Sequence, residues 1–404
     1  MALCRGNDSF TLPEDVMTEI LLRLPVKSLL RFKCVSKHWY RLIKSPRFIN
    51  HHFNHDSNKS NLLIYQYRRQ LQRRIFSLCE DEMFSRLEEP EHLQFPFLVH
   101  IIGPLNGIFC VFNCRGGDWV GHGALWNPAT REFHAIPVSR PNVPLYFFPA
   151  EEEIGFGLDP LTNNYKVVRI FWDENIDHNA PNPSLISVYD SGTDSWRHFE
   201  DDDLVIKDLK ESLCNTYLNG SYYWLMDDCS RNYAVLEFDM STEVFKEIEV
   251  PECVNSSCVY LTLYDDNALS MLSFDENEVR KSVDVWVMKE EGCWIKHFTI
   301  GPLLNINWPL MFWKNDEIFL ESNSHDLILL NPNTNEYRNL GVSCESRSCD
   351  LFVYKESLVL IKGHSDFPSI QNFFELQPMP MQEDLVYSTS SSRSSFELDE
   401  MGFP

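Results

Sequence analysis

The sequence predicts two unlike parts: a small all-α N-terminal unit of three to four helices, then an all-β propeller of six four-stranded blades, kelch-like in layout. Three observations carry this. Apolar residues at helical spacing stop near residue 55. Beyond that point short strands alternate with turn signals. One strand–turn–strand pattern then recurs at roughly 40–60 residues, the spacing of propeller blades. The expected division is residues 1–55 for the helices, 56–375 for the propeller, and 376–404 for a Ser-rich acidic tail without fixed structure.

The helices are read in order. In "LPEDVMTEILLRLP", Pro13 suits a first turn, and Glu14 and Asp15 favour the positive end of a helix. Val16, Ile20, Leu21 and Leu24 recur at helical spacing. Pro25 stops this helix and opens the next, whose apolar face holds Leu29, Leu30 and Phe32. Ser36 is placed to cap a third helix carrying Trp39, Leu42 and Ile43, and Ser45-Pro46 opens a fourth. About 45 residues cannot enclose so many large side chains, because units this small are marginal alone. The helices therefore pack on the main body, or complete their core against a partner.

The body repeats. "ALWNPATREFHAIP" (124–137), "SVYDSGTDSWRHFE" (187–200), "LEFDMSTEVFKEIEVP" (236–251), "DVWVMKEEGCWIKHFTI" (284–300) and "LILLNPNTNEYRNLGV" (327–342) share one form. Each is a strand, a polar turn at Asn or Asp, and a second strand. A second hairpin precedes each, as in "PLNGIFCVF" (104–112), "YLNGSYYWL" (217–225) and "FWKNDEIFLE" (312–321), with "GFGLDPLTNNYKVVRI" (155–170) in that role for the second repeat. This makes five full blades. A C-terminal hairpin at 353–362, "VYKESLVLIK", is expected to pair with "NLLIYQY" (61–67) and "RRIFSL" (73–78), closing the ring and removing its edges. A seventh blade would require further strands within 79–100.

Composition narrows the function. The 404 residues are 44% hydrophobic, enough for a large core, and the formal net charge is -24. Residues 1–53 hold nine Lys/Arg against four Asp/Glu, so the acidity belongs to the body. Such a body repels nucleic acid and anionic membranes and attracts basic partners. The 12 cysteines lack C-x-x-C spacing, so neither a zinc site nor any other metal or cofactor is expected. No apolar leader and no run of about 20 apolar residues is present. The chain is therefore expected in the cytoplasm, or the nucleus, with reduced thiols.

No H-E-x-x-H, P-loop or G-x-S-x-G occurs, and "GFGLDP" lacks the last glycine of a dinucleotide fingerprint. No catalytic residue is expected. His51, His52 and His55 read as surface residues, Cys34 as small core filling, and the body's tryptophans as blade packing.

"LPEDVMTEILLRLPVKSLLRFKCVSKHWYRLIKSPRFINHHF" resembles an F-box from Leu12 to Phe53. The ordered set L-P, I-L-x-R-L-P, K-S-L-x-R-F-K-x-V-x-K-x-W and L-I-x-S-P-x-F is specific. The resemblance implies docking on the Skp-type adaptor of a cullin–RING ubiquitin ligase, with the chain as its substrate-recognition subunit. By position, Leu12, Pro13, Ile20, Leu24, Pro25, Leu29, Val35 and Trp39 would make or support that contact, and Lys27, Lys33 and Lys37 would suit an acidic adaptor. "NPATREFHAIP", "GFGLDPLTNNYKVVRI", "VDVWVM" and "GPLLNINWPLMFWKNDE" resemble the plant F-box-associated domain, type 1. Within that group the chain looks most like S-locus F-box proteins, which implies a basic secreted-type ribonuclease as target, in pollen self-incompatibility. A general plant receptor for an unrelated protein and a glycan-binding propeller are the alternatives.

In a four-stranded blade the first and third turns share one face, and the remaining connections share the other. Here the former are short and the latter long, so recognition is expected on the long-loop face. That face would carry Glu151, Glu152, Glu153, Asp173, Glu174, Asp177, Glu200, Asp201, Asp202 and Asp203 as an acidic target-reading rim, joined by Asp227-Asp228 and Asp275-Glu276.

Overall fold

The computed structural model describes residues 13–68, 73–79, 87–88, 94–95, 99–113, 121–139, 151–172, 184–201, 204, 206, 208–210, 212–227, 232–254, 258–265, 267–275, 277–343, 349–361 and 367–375. Four helices come first: α1 (Glu14–Leu22), α2 (Val26–Phe32), α3 (Lys37–Ile43) and α4 (Pro46–Asn54). Pro13 and Pro25 sit at the N-caps of α1 and α2. Ser36 Oγ accepts from the Trp39 amide at 3.1 Å and Ser45 Oγ from the Phe48 amide at 3.2 Å, so both expected serine caps are formed.

The chain then enters β1 (Asn61–Arg68) and β2 (Arg73–Cys79), with the short β3 (Leu87–Glu88) and β4 (Gln94–Phe95) paired to β2. A complete sheet follows in β5 (His100–Leu105), β6 (Ile108–Asn113), β7 (His122–Asn127) and β8 (Glu132–Ile136). The next is β9 (Glu151–Leu158), β10 (Tyr165–Trp172), β11 (Ser184–Asp190) and β12 (Ser195–Asp201). Then come β13 (Leu209–Lys210) and β14 (Tyr217–Leu218), both paired to β15 (Ser221–Asp227), with β16 (Tyr233–Asp239) and β17 (Phe245–Glu249). The fifth sheet is β18 (Cys258–Tyr264), β19 (Ala268–Phe274), β20 (Arg280–Glu290) and β21 (Cys293–Leu304). The sixth is β22 (Ile306–Phe312), β23 (Ile318–Ser322), β24 (Asp326–Asn331) and β25 (Glu336–Ser343). Finally β26 (Cys349–Tyr354) pairs antiparallel with β1, Leu63 opposite Phe352, and closes the ring.

Six blades stand in a circle, with neighbouring strands adjoining from β26 through β5, β9, β15, β18 and β22, which returns to β26. The core lies between blades. Phe76, Phe109, Trp126 and Phe352 pack together where the first and second blades meet. The tryptophans expected in blade packing include Trp224, which is 1% exposed.

Two closure details correct the sequence reading. The C-terminus contributes one strand, and residues 355–361 form no second strand of a hairpin. The region 79–100 supplies the outer strands β3 and β4 of the closing blade, with no seventh blade in the described residues. The physical reason is that the second apolar run of "VYKESLVLIK" is used elsewhere: Leu358 is buried among the helices. A further helix, α5 (Ile370–Glu375), was not expected, and buries Ile370, Phe373 and Phe374 against the first and second blades.

One turn geometry recurs five times. Asn127, Asp159, Asp190, Asp239 and Asn331 each accept backbone N–H bonds on their side-chain oxygen from residues two or three ahead. The residue four ahead is left-handed in every case: Arg131, Asn163, Asp194, Glu243 and Asn335. This Asx turn accounts for the Asn or Asp in four of the five repeats and in the β9–β10 hairpin, while the β20–β21 turn carries Gly292 at φ +68° instead; a short polar side chain is what makes the Asx turn.

Candidate adaptor-docking face and the opposite rim

The helical unit is built around Leu21, Leu22, Val26, Leu29, Ile43 and Phe48, all buried, with Leu358 among them. Its outward side keeps large apolar groups in water: Val16 at 46% exposed, Ile20 at 49%, Val35 at 63% and Tyr40 at 45%. Val16 and Ile20 stand one turn apart on α1. Trp39 is half-buried beside them, edge-on to Phe32 at 5.2 Å, with its Nε1–H directed to Met17 Sδ at 2.9 Å.

Of the adaptor residues expected from sequence, Pro13, Ile20, Pro25 and Val35 are exposed, and Leu24 and Trp39 are half-buried. Leu29 is fully buried, so it supports the face from beneath. Leu12 lies outside the described residues. Val16 and Tyr40 are also exposed, although the sequence reading did not select them as contacts; Val16 lies across α1 from the buried Leu21 and Leu22, and the Tyr40 hydroxyl accepts from Lys44 Nζ at 2.9 Å. Lys27 and Lys37 are exposed. Burial pushes the Lys33 ammonium down, and the carboxylate of Glu132 on β8 partly restores it, so Lys33 faces the propeller.

Two residue expectations fail in this unit. His52 is 2% exposed, and its Nε2 meets the Leu24 carbonyl at 2.9 Å. Burial holds its imidazole below the ordinary value of 6.5. It faces inward because α4 turns that side onto α1. Cys34 is exposed, since it lies in the turn after α2 where no core exists to fill.

The helices pack at the end of the propeller that carries the Asx turns: Ala129, inside the turn after β7, touches the helical core. The strand order places the expected acidic rim at the opposite end. Glu151 pairs with Trp172, Glu152 with Phe171, Leu185 with Glu200 and Ser184 with Asp201, so these acids share one end of one sheet. Asp173, Glu174, Asp177, Asp202 and Asp203 lie outside the described residues, as do Asp228 and Glu276. Glu200 and Asp275 are exposed, and Glu153 is half-buried.

Not every rim acid faces a partner. Glu152 is bonded to Nε of Arg169, whose guanidinium is fully buried and stacked over Phe171, 4.7 Å from the ring centroid. Asp227 is buried, with Lys210 Nζ 3.9 Å away and paired also to Asp208. These two carboxylates neutralise buried or half-buried cations. The sequence reading missed Arg169 and Lys210 as their partners, because cross-strand neighbours are invisible until the register is known.

Ser187 Oγ and His198 Nδ1 stand 2.8 Å apart, but they are directly opposed residues of β11 and β12 and Ser187 is fully buried. The pair is a cross-strand hydrogen bond inside a sheet. Among the described residues no group of three or more His, Cys, Asp or Glu side chains could hold a metal ion, and no helix is long and apolar enough to cross a membrane.

A compact helical unit with exposed apolar side chains, seated on one end of a six-bladed propeller, defines a two-part protein of helices and propeller. The family comparisons give this class its family. Residues 10–51 match the F-box domain, and residues 48–361 match the F-box associated beta propeller domain. The chain belongs to the plant F-box proteins that carry a type 1 F-box-associated propeller. It is 28% identical over 366 residues to an F-box/kelch-repeat protein of Arabidopsis thaliana, covering 86% of this chain and 95% of that one. It is 26% identical over 424 residues to the F-box protein CPR1 of the same plant, covering 96% and 97%. Among solved structures, an oligogalacturonate lyase in complex with manganese gives a TM-score of 0.40 at 8% identity, covering 70% of this chain and 79% of that one, too low to bear on function. An F-box implies binding to a Skp-type adaptor and assembly into a ligase, and the added propeller supports a substrate-recognition role.

Proposed function

We propose that this chain docks a Skp-type adaptor, and through it cullin and RING subunits, by the helical face around Val16, Ile20, Val35 and Tyr40. Pro13, Pro25 and the half-buried Leu24 and Trp39 frame that contact, and Leu12 precedes Pro13 in sequence. The far end of the propeller presents a protein target for ubiquitination in the cytoplasm or nucleus. The receptor supplies proximity, and the chemistry belongs to its partners. The single observation that carries this reading is the position of the exposed apolar helical face at the propeller end opposite the acidic strand ends. Large apolar groups left in water mark interaction sites when they cluster.

The target is read by the rim of Glu151, Glu153, Glu200 and Asp201, with Asp173, Glu174, Asp177, Asp202 and Asp203 continuing it in sequence. Its charge steers a basic protein at long range. The likeness to S-locus F-box sequences favours a basic ribonuclease in pollen as that protein. A glycan-binding reading draws on the half-buried rings of Tyr260 and Trp308, 6.4 Å apart near the same end.

Adaptor pulldown tests the first part: Ile20→Asp and Val35→Asp, changed at the surface, abolish capture while the helical signal in circular dichroism persists. Undiminished capture by both variants refutes the docking face. For the second part, capture of basic ribonucleases weakens steeply as salt rises past the Debye regime. A salt-independent affinity refutes steering, and a glycan array addresses the alternative.

A further inference from the structure

We infer that residues 355–361 act as a strap that completes the helical core, so that adaptor docking by this chain requires the propeller ring to be closed. The inference rests on the docking role proposed above for the helices.

The strap leaves β26 at Tyr354, on the helix side of the ring, and touches both parts of the molecule. On the helical side, Leu358 is 1% exposed in the cluster of Leu21, Leu22, Val26, Leu29, Ile43 and Phe48. It is the one buried member of that described cluster from outside the four helices. Glu356 Oε2 accepts from the Val26 amide at 3.0 Å, at the start of α2, where Pro25 offers no side-chain cap. The Glu356 carbonyl accepts from Asn58 Nδ2 at 2.9 Å. Lys355 Nζ lies 5.8 Å from the centre of the Phe53 ring.

On the propeller side, Asn127 Nδ2 donates to the carbonyls of Ser357 and Val359, each at 3.0 Å. Val359 and Ile361 pack on the core shared by the second and third blades. Gly107, at φ +77°, lies so close that a Cβ there would approach Ser357 Cβ to 2.4 Å. The strap is therefore fixed to the ring by side-chain, backbone and close-packing contacts.

The coupling follows from size and order. A unit of four short helices has too little core to hold itself firmly. Its missing large apolar residue and its α2 cap come from the segment just after the strand that closes the ring. Before β26 pairs with β1, Leu358 has no fixed position near the helices. A chain cut short of the strap, or one with an open ring, would expose an incomplete docking face.

The test uses the full chain, with Leu358→Ala, the milder Leu358→Val, and Glu356→Gln. Amide hydrogen exchange is followed in α1–α4 and in β6, β10 and β15, and affinity is measured for a purified Skp-type adaptor. Leu358→Ala is expected to lower helical protection by roughly 30-fold or more, with Leu358→Val between it and the parent and the propeller amides unchanged. Adaptor affinity should fall in the same order. Unchanged helical protection in Leu358→Ala overturns the strap. Lowered protection with unchanged adaptor affinity overturns the coupling. A parent chain that does not bind the adaptor defeats the proposed function, while the exchange data still judge the strap.

Discussion

The amide of Val26 donates to the carboxylate of Glu356 at 3.0 Å, across 330 positions of sequence. One hydrogen bond thus joins the first turn of an F-box helix to the segment that follows the closing strand of the ring. Replacing Glu356 with Ala should lower the stability of the helices by about 1–2 kcal/mol, the usual worth of a cap. Chemical denaturation followed by a probe on α2 measures this. A loss confined to the propeller would contradict the assignment.

Surface and core positions of the helical unit should separate cleanly. Ile20→Asp should reduce adaptor affinity at least about tenfold with a thermal midpoint close to the parent's, since surface changes usually cost within about 0.5 kcal/mol. Leu29→Asp buries an unpaired carboxylate and should unfold the helices outright. The two readouts are adaptor titration and far-ultraviolet circular dichroism.

An ion cluster joins the third and fourth blades, and it should respond to acid. Lys166 Nζ lies 3.1 Å from Asp159 and 2.9 Å from Glu243, and it is 4% exposed. Burial pushes the Asp159 carboxyl up, but the Leu161 amide, the Lys166 ammonium and Thr162 outweigh it and hold the group below its ordinary 3.8. A depressed carboxyl contributes stability that is present above its unfolded value and lost as pH falls through its folded one. Urea titrations should therefore show a loss beginning as pH drops below about 4. Lys166→Met leaves Asp159 without its cation, and leaves Glu243 with Arg197 alone, and should cost about 3 kcal/mol at neutral pH.

The Asx turns are alike in form but not in weight. Asn331 Oδ1 serves its own turn, with amides at 3.0 and 3.2 Å. Asn127 does the same and also holds the strap through Nδ2. Asn331→Ala should cost about 1 kcal/mol, and Asn127→Ala about 2–3 kcal/mol, since two strap carbonyls lose their donor. Asn127→Asp keeps the turn acceptor but sets a carboxylate beside those carbonyls, so it should not rescue. Thermal unfolding of the three variants gives the ranking.

Acids on the far end should divide by role. Glu152→Gln leaves the buried Arg169 guanidinium without its carboxylate, and should destabilise the third blade by about 3 kcal/mol. Glu200→Gln, on an exposed residue, should leave stability within about 0.5 kcal/mol, and alter only the salt dependence of target capture. Paired denaturation and binding measurements distinguish them.

Local pattern alone determined much of this protein. Proline and serine positions set the four helices, because caps act within a turn of the backbone. The repeated Asn or Asp turn flanked by short strands set the blade, because an Asx turn needs only its own four or five residues. The ordered motif from Leu12 to Phe53 pointed to the docking face. Tertiary structure alone decided which apolar residues are buried and by what. Leu29 and His52 turned inward, while Val16 and Tyr40 stayed outside. Glu152 was claimed by Arg169 across a strand pair. "LVLI" at 358–361 read as a strand, yet Leu358 went to the helices. The helical cases depend on packing among the four helices, the Glu152 case on strand register, and the Leu358 case on ring closure, where strand pairing between residues some 290 positions apart, as between Leu63 and Phe352, leaves no local trace in the chain.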